Sequence, residues 1–297
     1  MATPLTVAIQ GGPASFHDSA AKKYFAGQQI DVLTCATFRQ LCDTLQQGRA
    51  DRAVMAIENL LAGRLLSNYA LLQEYDFAIL GELWLPIDQN LMALPGQELT
   101  ATTKVLSHPV ALQQCGGFLK QHAYLQPQET TDTADSAREI REKQLRGVAA
   151  IASRQAATLY GLQILQEDIA DSSTNYTRFL LLGPAQHPQH EDASATKASL
   201  ILQLPLTDGA LDALGQLLQT LPLTVSLLQP LPPARQQQTL SVALDLESAG
   251  SQELLAAIAA IRPLVHTLKL LGLYPKTQHP VPATPETSAQ PLNHLTR

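Results

Sequence analysis

A continuous apolar run, Ala53-Val-Met-Ala-Ile57, constrains the fold more than any other stretch of this chain. Five successive apolar residues suit a strand covered on both faces, and such strands belong to sheets flanked by helices. The surrounding sequence supplies those helices. Strands are expected at 6–10, 30–33, 53–57, 77–80, 104–107, 147–152 and 162–166, with helices at 17–25, 37–47, 65–74, 109–120, 134–144 and 153–160. Residues 82–94 read as extended, because Pro86 excludes a helix. Strand and helix alternate up to Gly183, which predicts a largely parallel α/β unit with its loops gathered at strand ends.

The bulk numbers narrow the function classes. A chain of 297 residues is long enough for two domains of ordinary size. Its net charge of −6 argues against a nucleic-acid partner, which calls for a basic face. A small anionic substrate needs only one or two local cations and stays open. Cys35, Cys42 and Cys115 are odd in number and contain no C-x-x-C, so neither a disulfide framework nor a zinc site is expected. The start shows no basic region followed by an apolar stretch, and no window approaches 18 uninterrupted apolar residues. The expectation is therefore no signal peptide, no membrane partner and a cytoplasmic location.

Polar residues collect where the predicted strands end. Ser15 follows the Gly11-Gly12-Pro13 turn, where a strand, a turn and a helix start make an anion site. Glu58-Asn59 follows the apolar run, Ser107-His108 closes another strand, and Ser153 follows a third. Asp171-Ser-Ser-Thr-Asn-Tyr-Thr-Arg-Phe179 opens a last strand and brings Asn175, Thr177 and Arg178. Each has a plainer reading as a helix cap, a turn or a surface charge. Ligands of α/β sheets nevertheless sit at such ends. Thr177 offers a hydroxyl and Arg178 a forked cation suited to a carboxylate. As neighbours in an extended chain they point to opposite faces, unless a bulge aims both at one ligand. The Gly-Gly turn is neither G-x-G-x-x-G nor a P-loop, so no nucleotide cofactor is expected.

After Gly183 the pattern changes. Residues 185–197 read as a linker. Residues 198–275 then read β-α-β-β-α-β, a small ferredoxin-like domain. From 276 to 297, Pro, Thr, Ser, Gln and His dominate, and a disordered tail is expected.

Together these blocks resemble prephenate dehydratase with a C-terminal regulatory ACT domain. The resemblance covers residues 5 to about 275. It rests on Gly11 to Ala21 (GGPASFHDSAA), Ala56-Ile57-Glu58-Asn59 with Gly63, Leu83-Pro86-Ile87, Ser107-His-Pro-x-Ala-Leu-x-Gln-Cys115, Ala149-Ala-Ile-Ala-Ser153 and Asn175-x-Thr-Arg-Phe179. Gln10-Gly11 and Leu66-x-Asn68-Tyr69-Ala70 look like the branch common in Bacteroidetes-type bacteria. The resemblance implies an α/β chain with a two-lobed, periplasmic-binding-protein-like catalytic unit over 1–184 and a ferredoxin-like ACT domain. It implies conversion of prephenate to phenylpyruvate, water and carbon dioxide, without metal or cofactor. Thr177 would be the donor to the leaving hydroxyl and Arg178 the carboxylate clamp. Ser15, Asn59, Ser107, His108, Ser153 and Asn175 would hold the substrate, with Glu58 orienting them. Gly209-Ala210-Leu211 matches the effector turn of the ACT domain, with L-phenylalanine as its possible ligand. A homodimer or homotetramer is implied as well.

The chain also departs from the family pattern. Ala14 stands where glycine is usual, Leu60 where a hydroxyl residue follows Glu-Asn, and Arg64 where a small residue is usual. Gln229-Pro-Leu-Pro232 replaces Glu-Ser-Arg-Pro in the second domain. Arogenate, with an amino group in place of the keto oxygen, is an alternative substrate. A catalytically degraded amino-acid-sensing protein on the same scaffold is an alternative of another class.

Overall fold

The computed structural model describes residues 4–185, 194–207, 209–232 and 239–280. The chain begins with β1 (Leu5–Gln10), α1 (Phe16–Tyr24), β2 (Ile30–Cys35), α2 (Phe38–Gln46), β3 (Arg52–Asn59), the short β4 (Gly63–Arg64), α3 (Leu66–Glu74) and β5 (Phe77–Pro86). It crosses into β6 (Asn90–Ala93), β7 (Lys104–Ser107), α4 (Pro109–Gln114), α5 (Gly116–Gln121), β8 (Gln126–Glu129), α6 (Thr133–Glu142), β9 (Val148–Ala152), α7 (Arg154–Tyr160) and β10 (Gln163–Gln166). It then returns as β11 (Tyr176–Pro184). Two sheets result, ordered β2-β1-β3-β11-β5 and β10-β6-β9-β7-β8, with β4 paired to β3. The unit is two-lobed and periplasmic-binding-protein-like.

The expectation of a largely parallel sheet needs correction. β1, β2 and β3 are parallel, but β11 runs antiparallel to both β3 and β5. The second sheet mixes parallel β7-β8 and β7-β9 with antiparallel β6-β9 and β6-β10. The double crossing is the cause: a chain returning from the second lobe enters the first sheet from the opposite end. That reversal places the start of β11 beside the carboxyl end of β3, with Thr177 opposite Asn59.

The expected helix over 109–120 is two helices, α4 and α5, broken at Cys115. The Gly117 N–H donates to Asp171 Oδ1 at 2.8 Å, so Asp171 caps the second piece. A Cβ on Gly117 would lie 2.7 Å from that oxygen. β8 has no counterpart in the sequence reading, because its four residues Gln-Pro-Gln-Glu are all exposed and carry no apolar alternation.

The third sheet is built from β12 (Lys197–Pro205), α8 (Ala210–Thr220), β13 (Thr224–Pro230), β14 (Thr239–Glu247), α9 (Ser251–Ile261) and β15 (Thr267–Tyr274), in order β13-β14-β12-β15. All its pairings are antiparallel, as in a ferredoxin-like domain. Leu214, Leu218, Leu254 and Ile258 of its helices pack on one face with Leu200, Leu202 and Leu244. Alternation sends Ile201, Ala243 and Leu271 to the other face, where they share a core with Leu72, Ile79 and Leu180 of the first lobe. Lys276 Nζ contacts Glu247 Oε2 at 3.1 Å and the Thr277 N–H donates to Glu82 Oε1 at 3.2 Å, so the chain is still packed where the tail was expected to start. The rest of that expected tail, 281–297, and most of the expected linker, 186–193, lie outside the described residues.

Candidate active site

The two crossings run side by side. The Ile87 N–H donates to Asn175 O at 2.8 Å, and the Ile169 N–H to Gln89 O at 2.9 Å. Beside them a cleft of about 480 Å³ opens between the lobes. The first turns of four helices line it, through His17 of α1, Phe38 of α2, Val110 of α4 and Thr133 of α6. Their caps are Ser15, Thr37, His108 and Asp132, each accepting from a first-turn N–H. Convergent N-terminal turns bring partial positive charge and favour an anion. Apolar walls come from Phe16, Phe38, Leu65 and Phe179.

At the floor lies one hydrogen-bonded network. Asn59 Oδ1 accepts from the Leu61 and Ala62 N–H groups at 3.0 and 2.8 Å, which fixes the amide with its NH₂ inward. That Nδ2 donates to Thr177 Oγ1 at 2.9 Å and to Asn175 Oδ1 at 2.8 Å. Asn175 Nδ2 donates to Gln114 Oε1 at 2.9 Å, and Gln89 Nε2 reaches the same oxygen at 3.3 Å. Gln114 Nε2 closes the ring onto Asn59 Oδ1 at 3.4 Å. Both lobes and both crossings therefore position Thr177. Gln89, Gln114 and Asp132 were not singled out in sequence. Gln114 does stand inside the Ser-His-Pro block, which was the available signal.

Arg178 is the chief correction. It does not line the cleft. Along β11, Thr177 and Phe179 face the cleft while Arg178 and Leu180 face the third sheet. The register does shift between Arg178 and Phe179 against β3, yet the alternation survives it. Arg178 is 3% exposed. Its Nε donates to Glu82 Oε2 at 2.6 Å, its Nη2 to Tyr274 Oη at 3.2 Å, and its Nη1 lies 2.8 Å from Asp245 Oδ2 on β14. Burial alone would lower its pKa, but Asp245, Tyr274 and Glu82 hold it well above the usual value. Lys197 joins the cluster, 3.2 Å from Glu82 and 3.3 Å from Glu247.

Other expected contacts are also placed elsewhere. Glu58 sits on the face opposite Asn59 and pairs with Arg64 at 3.5 Å. The hydroxyls of Ser15, Ser107 and Ser153 are engaged internally, and none of the three lines the cleft. Ser15 accepts from the Asp18 N–H at 3.2 Å, Ser107 donates to Ile151 O at 2.6 Å, and Ser153 donates to Ala14 O at 3.1 Å. The last bond ties the second lobe to the first. His108 does line the cleft, with Nδ1 accepting from the Val110 N–H at 3.3 Å. His17 also lines it and packs edge-on against Phe179, with ring centroids 5.0 Å apart. Burial lowers its pKa to about 3, so it is neutral there.

The departures from the family pattern have structural accounts. Ala14 has φ +63°, a left-handed conformation that explains why glycine is usual at this position. Leu60 and Arg64 do not line the cleft. Arg64 Nη1 donates to Gln229 Oε1 at 3.0 Å, so two of the departures meet each other across the boundary with the third sheet. Gly209, with φ +87°, precedes α8, where Ala210 and Leu211 form the first turn; this is the far module rather than the cleft.

A two-lobed, periplasmic-binding-protein-like α/β unit with four helix starts at the cleft between its lobes defines the class of protein. The comparisons give the family. The sequence profile described as prephenate dehydratase matches residues 7–187, and the chain belongs to that family. Arogenate dehydratase 1 of Petunia hybrida is 41% identical over 179 residues, 60% of this chain and 42% of that one. The bifunctional chorismate mutase/prephenate dehydratase of Escherichia coli (strain K12) is 30% identical over 285 residues, 94% of this chain and 72% of that one. The chain thus matches less than half the length of the plant relative. Two solved structures superpose with a TM-score of 0.82. One, described as GqqA, a novel type of quorum quenching acylases, is 29% identical and covers 92% of this chain and 98% of its own. The other, prephenate dehydratase in complex with L-Phe from Arthrobacter aurescens, is 23% identical and covers 91% and 90%.

Proposed function

We propose that the chain is a prephenate dehydratase, converting prephenate to phenylpyruvate, water and carbon dioxide. One observation carries the mechanism. Thr177 Oγ1 accepts from Asn59 Nδ2, so its own proton is left to donate, and the donated bond makes the hydroxyl more acidic. As the ring C–C bond to the carboxylate breaks, its electron pair enters the ring. The C–O bond to the hydroxyl breaks with it, and hydroxide departs as water with the proton that Thr177 donates or relays. Aromaticity drives the step. The four helix starts hold the carboxylates in place of the guanidinium first expected. The apolar walls leave the departing carboxylate poorly solvated.

An acyl-transfer reading, which the acylase name of one neighbour would suggest, would use Thr177 as a nucleophile. That role requires a base on its oxygen, whereas the partner present is a donor. We further propose that residues 1–184 are the catalytic unit and 198–275 an ACT regulatory domain, in a homo-oligomer in the cytoplasm. The test is to mix the purified protein with prephenate and follow phenylpyruvate by absorbance. With arogenate run in parallel, a folded protein that binds prephenate and turns over neither compound would refute the dehydratase and favour a binding protein on this scaffold.

A further inference from the structure

The cleft carries a charge pattern that the ring chemistry does not use. Among its described lining residues there is no lysine or arginine, and Asp132 is the one acidic residue. Its Oδ1 caps α6, accepting from the Ala134 and Asp135 N–H groups at 2.8 and 3.1 Å. Its Oδ2 has no hydrogen-bond partner among the described residues. That oxygen lies just beyond the end of β1, where a Cβ on Gly11 would be 3.0 Å from it. Burial raises the pKa of this carboxyl, and the Ala134 and Asp135 N–H groups and the nearby His108 offset that only in part. Gln89 is the second observation. It is 2% exposed and lines the same cleft, its Nε2 donates to Gln114, and its Oε1 is buried without a partner. An unpaired buried acceptor keeps its desolvation penalty, and a donor on a ligand would relieve it.

Among its described lining residues the cleft therefore offers two unpaired acceptors, one of them a carboxylate, and no lysine or arginine. The substrate of the proposed reaction exists in two forms that differ at one group of the side chain. The keto-acid form has two carboxylates and no donor at that group. The amino-acid form carries an ammonium there, with three N–H donors and one unit less net negative charge. We infer that Asp132, with Gln89 as a second acceptor on the same cleft, is a specificity-determining residue that receives this ammonium and favours the amino-acid form, arogenate, over prephenate. The inference rests on the dehydratase reading above, since it concerns the same cleft and the same ring chemistry.

The test uses the full-length chain and measures kcat/KM for arogenate and for prephenate in the wild type, Asp132→Asn, Asp132→Ser and Gln89→Leu. Asparagine and serine both keep the cap of α6, and thermal melting confirms that each variant is folded. The ratio of the two kcat/KM values is expected to favour arogenate in the wild type. Loss of a hydrogen bond to a charged group should lower that ratio by about tenfold or more in both Asp132 variants, chiefly through KM for arogenate. Gln89→Leu should lower it by roughly threefold. A wild-type preference for prephenate, or a ratio within about twofold of wild type in folded Asp132 variants, would overturn the inference while leaving the dehydratase standing. Failure of the wild type on both substrates would remove the dehydratase and the inference together.

Discussion

Replacing Arg178 by methionine separates two roles for the same side chain. The guanidinium lies between Glu82 and Asp245, whose side chains are 0% and 5% exposed. Methionine matches much of its stem but leaves Lys197 to serve both Glu82 and Asp245, while Glu247 keeps Lys197 and Lys276. Breaking a buried pair by removing one partner costs about 3–5 kcal/mol, because the stranded carboxylates keep their desolvation penalty. For a chain of this size that corresponds to a fall in Tm of roughly 6–20 °C. Calorimetry or denaturant unfolding reads the loss, and initial rates at several prephenate concentrations give KM for the folded variant. The reasoning predicts a large stability loss with KM within a few-fold of wild type, since Arg178 faces the third sheet rather than the cleft. A variant as stable as wild type whose KM rises about a hundredfold would refute it, because that pattern belongs to a carboxylate clamp.

Three further outcomes follow from the site and its neighbours. Thr177→Ala should lower kcat by about 10²–10⁴-fold with a small change in KM, the range for losing a positioned proton donor, and Thr177→Ser should recover much of it; equal turnover in the alanine variant would remove the donor role. His17 stays neutral in the fold with its pKa lowered to about 3, whereas in the unfolded chain it binds a proton below about 6.5. Its contribution is thus complete above pH 6.5 and is lost as pH falls towards 3, by at most about 1.4 kcal/mol per pH unit, so His17→Gln should flatten the acid limb of a stability–pH curve. With Gln229-Pro-Leu-Pro232 docked on the first lobe through Arg64 and Leu231, titration calorimetry with L-phenylalanine should show weak binding or none; tight binding would restore feedback regulation to the third sheet.

Much of this protein could be read from the chain in order. The apolar run 53–57 became the core of β3, the Ser15, Thr37 and Ser153 caps start their helices, and β-α-β-β-α-β after 197 gave the third sheet. These features are local, because strand burial, capping and turn chemistry depend on residues within a few positions of one another. The tertiary structure decided the rest. Thr177 and Arg178 are one peptide bond apart, yet the first serves the cleft and the second the boundary with the third sheet, 67 residues before its partner Asp245. Sequence alternation states that two neighbours face apart; only the packing of a third sheet on one face says which of them faces the cleft and which is held in an ion-pair cluster. The same holds for Gln89, Gln114 and Asp132, which come from a crossing, a helix and a cap that meet only when the two lobes close on one cleft. Their place on one cleft, and the lack of lysine or arginine among its described lining residues, are not properties of any single stretch of chain.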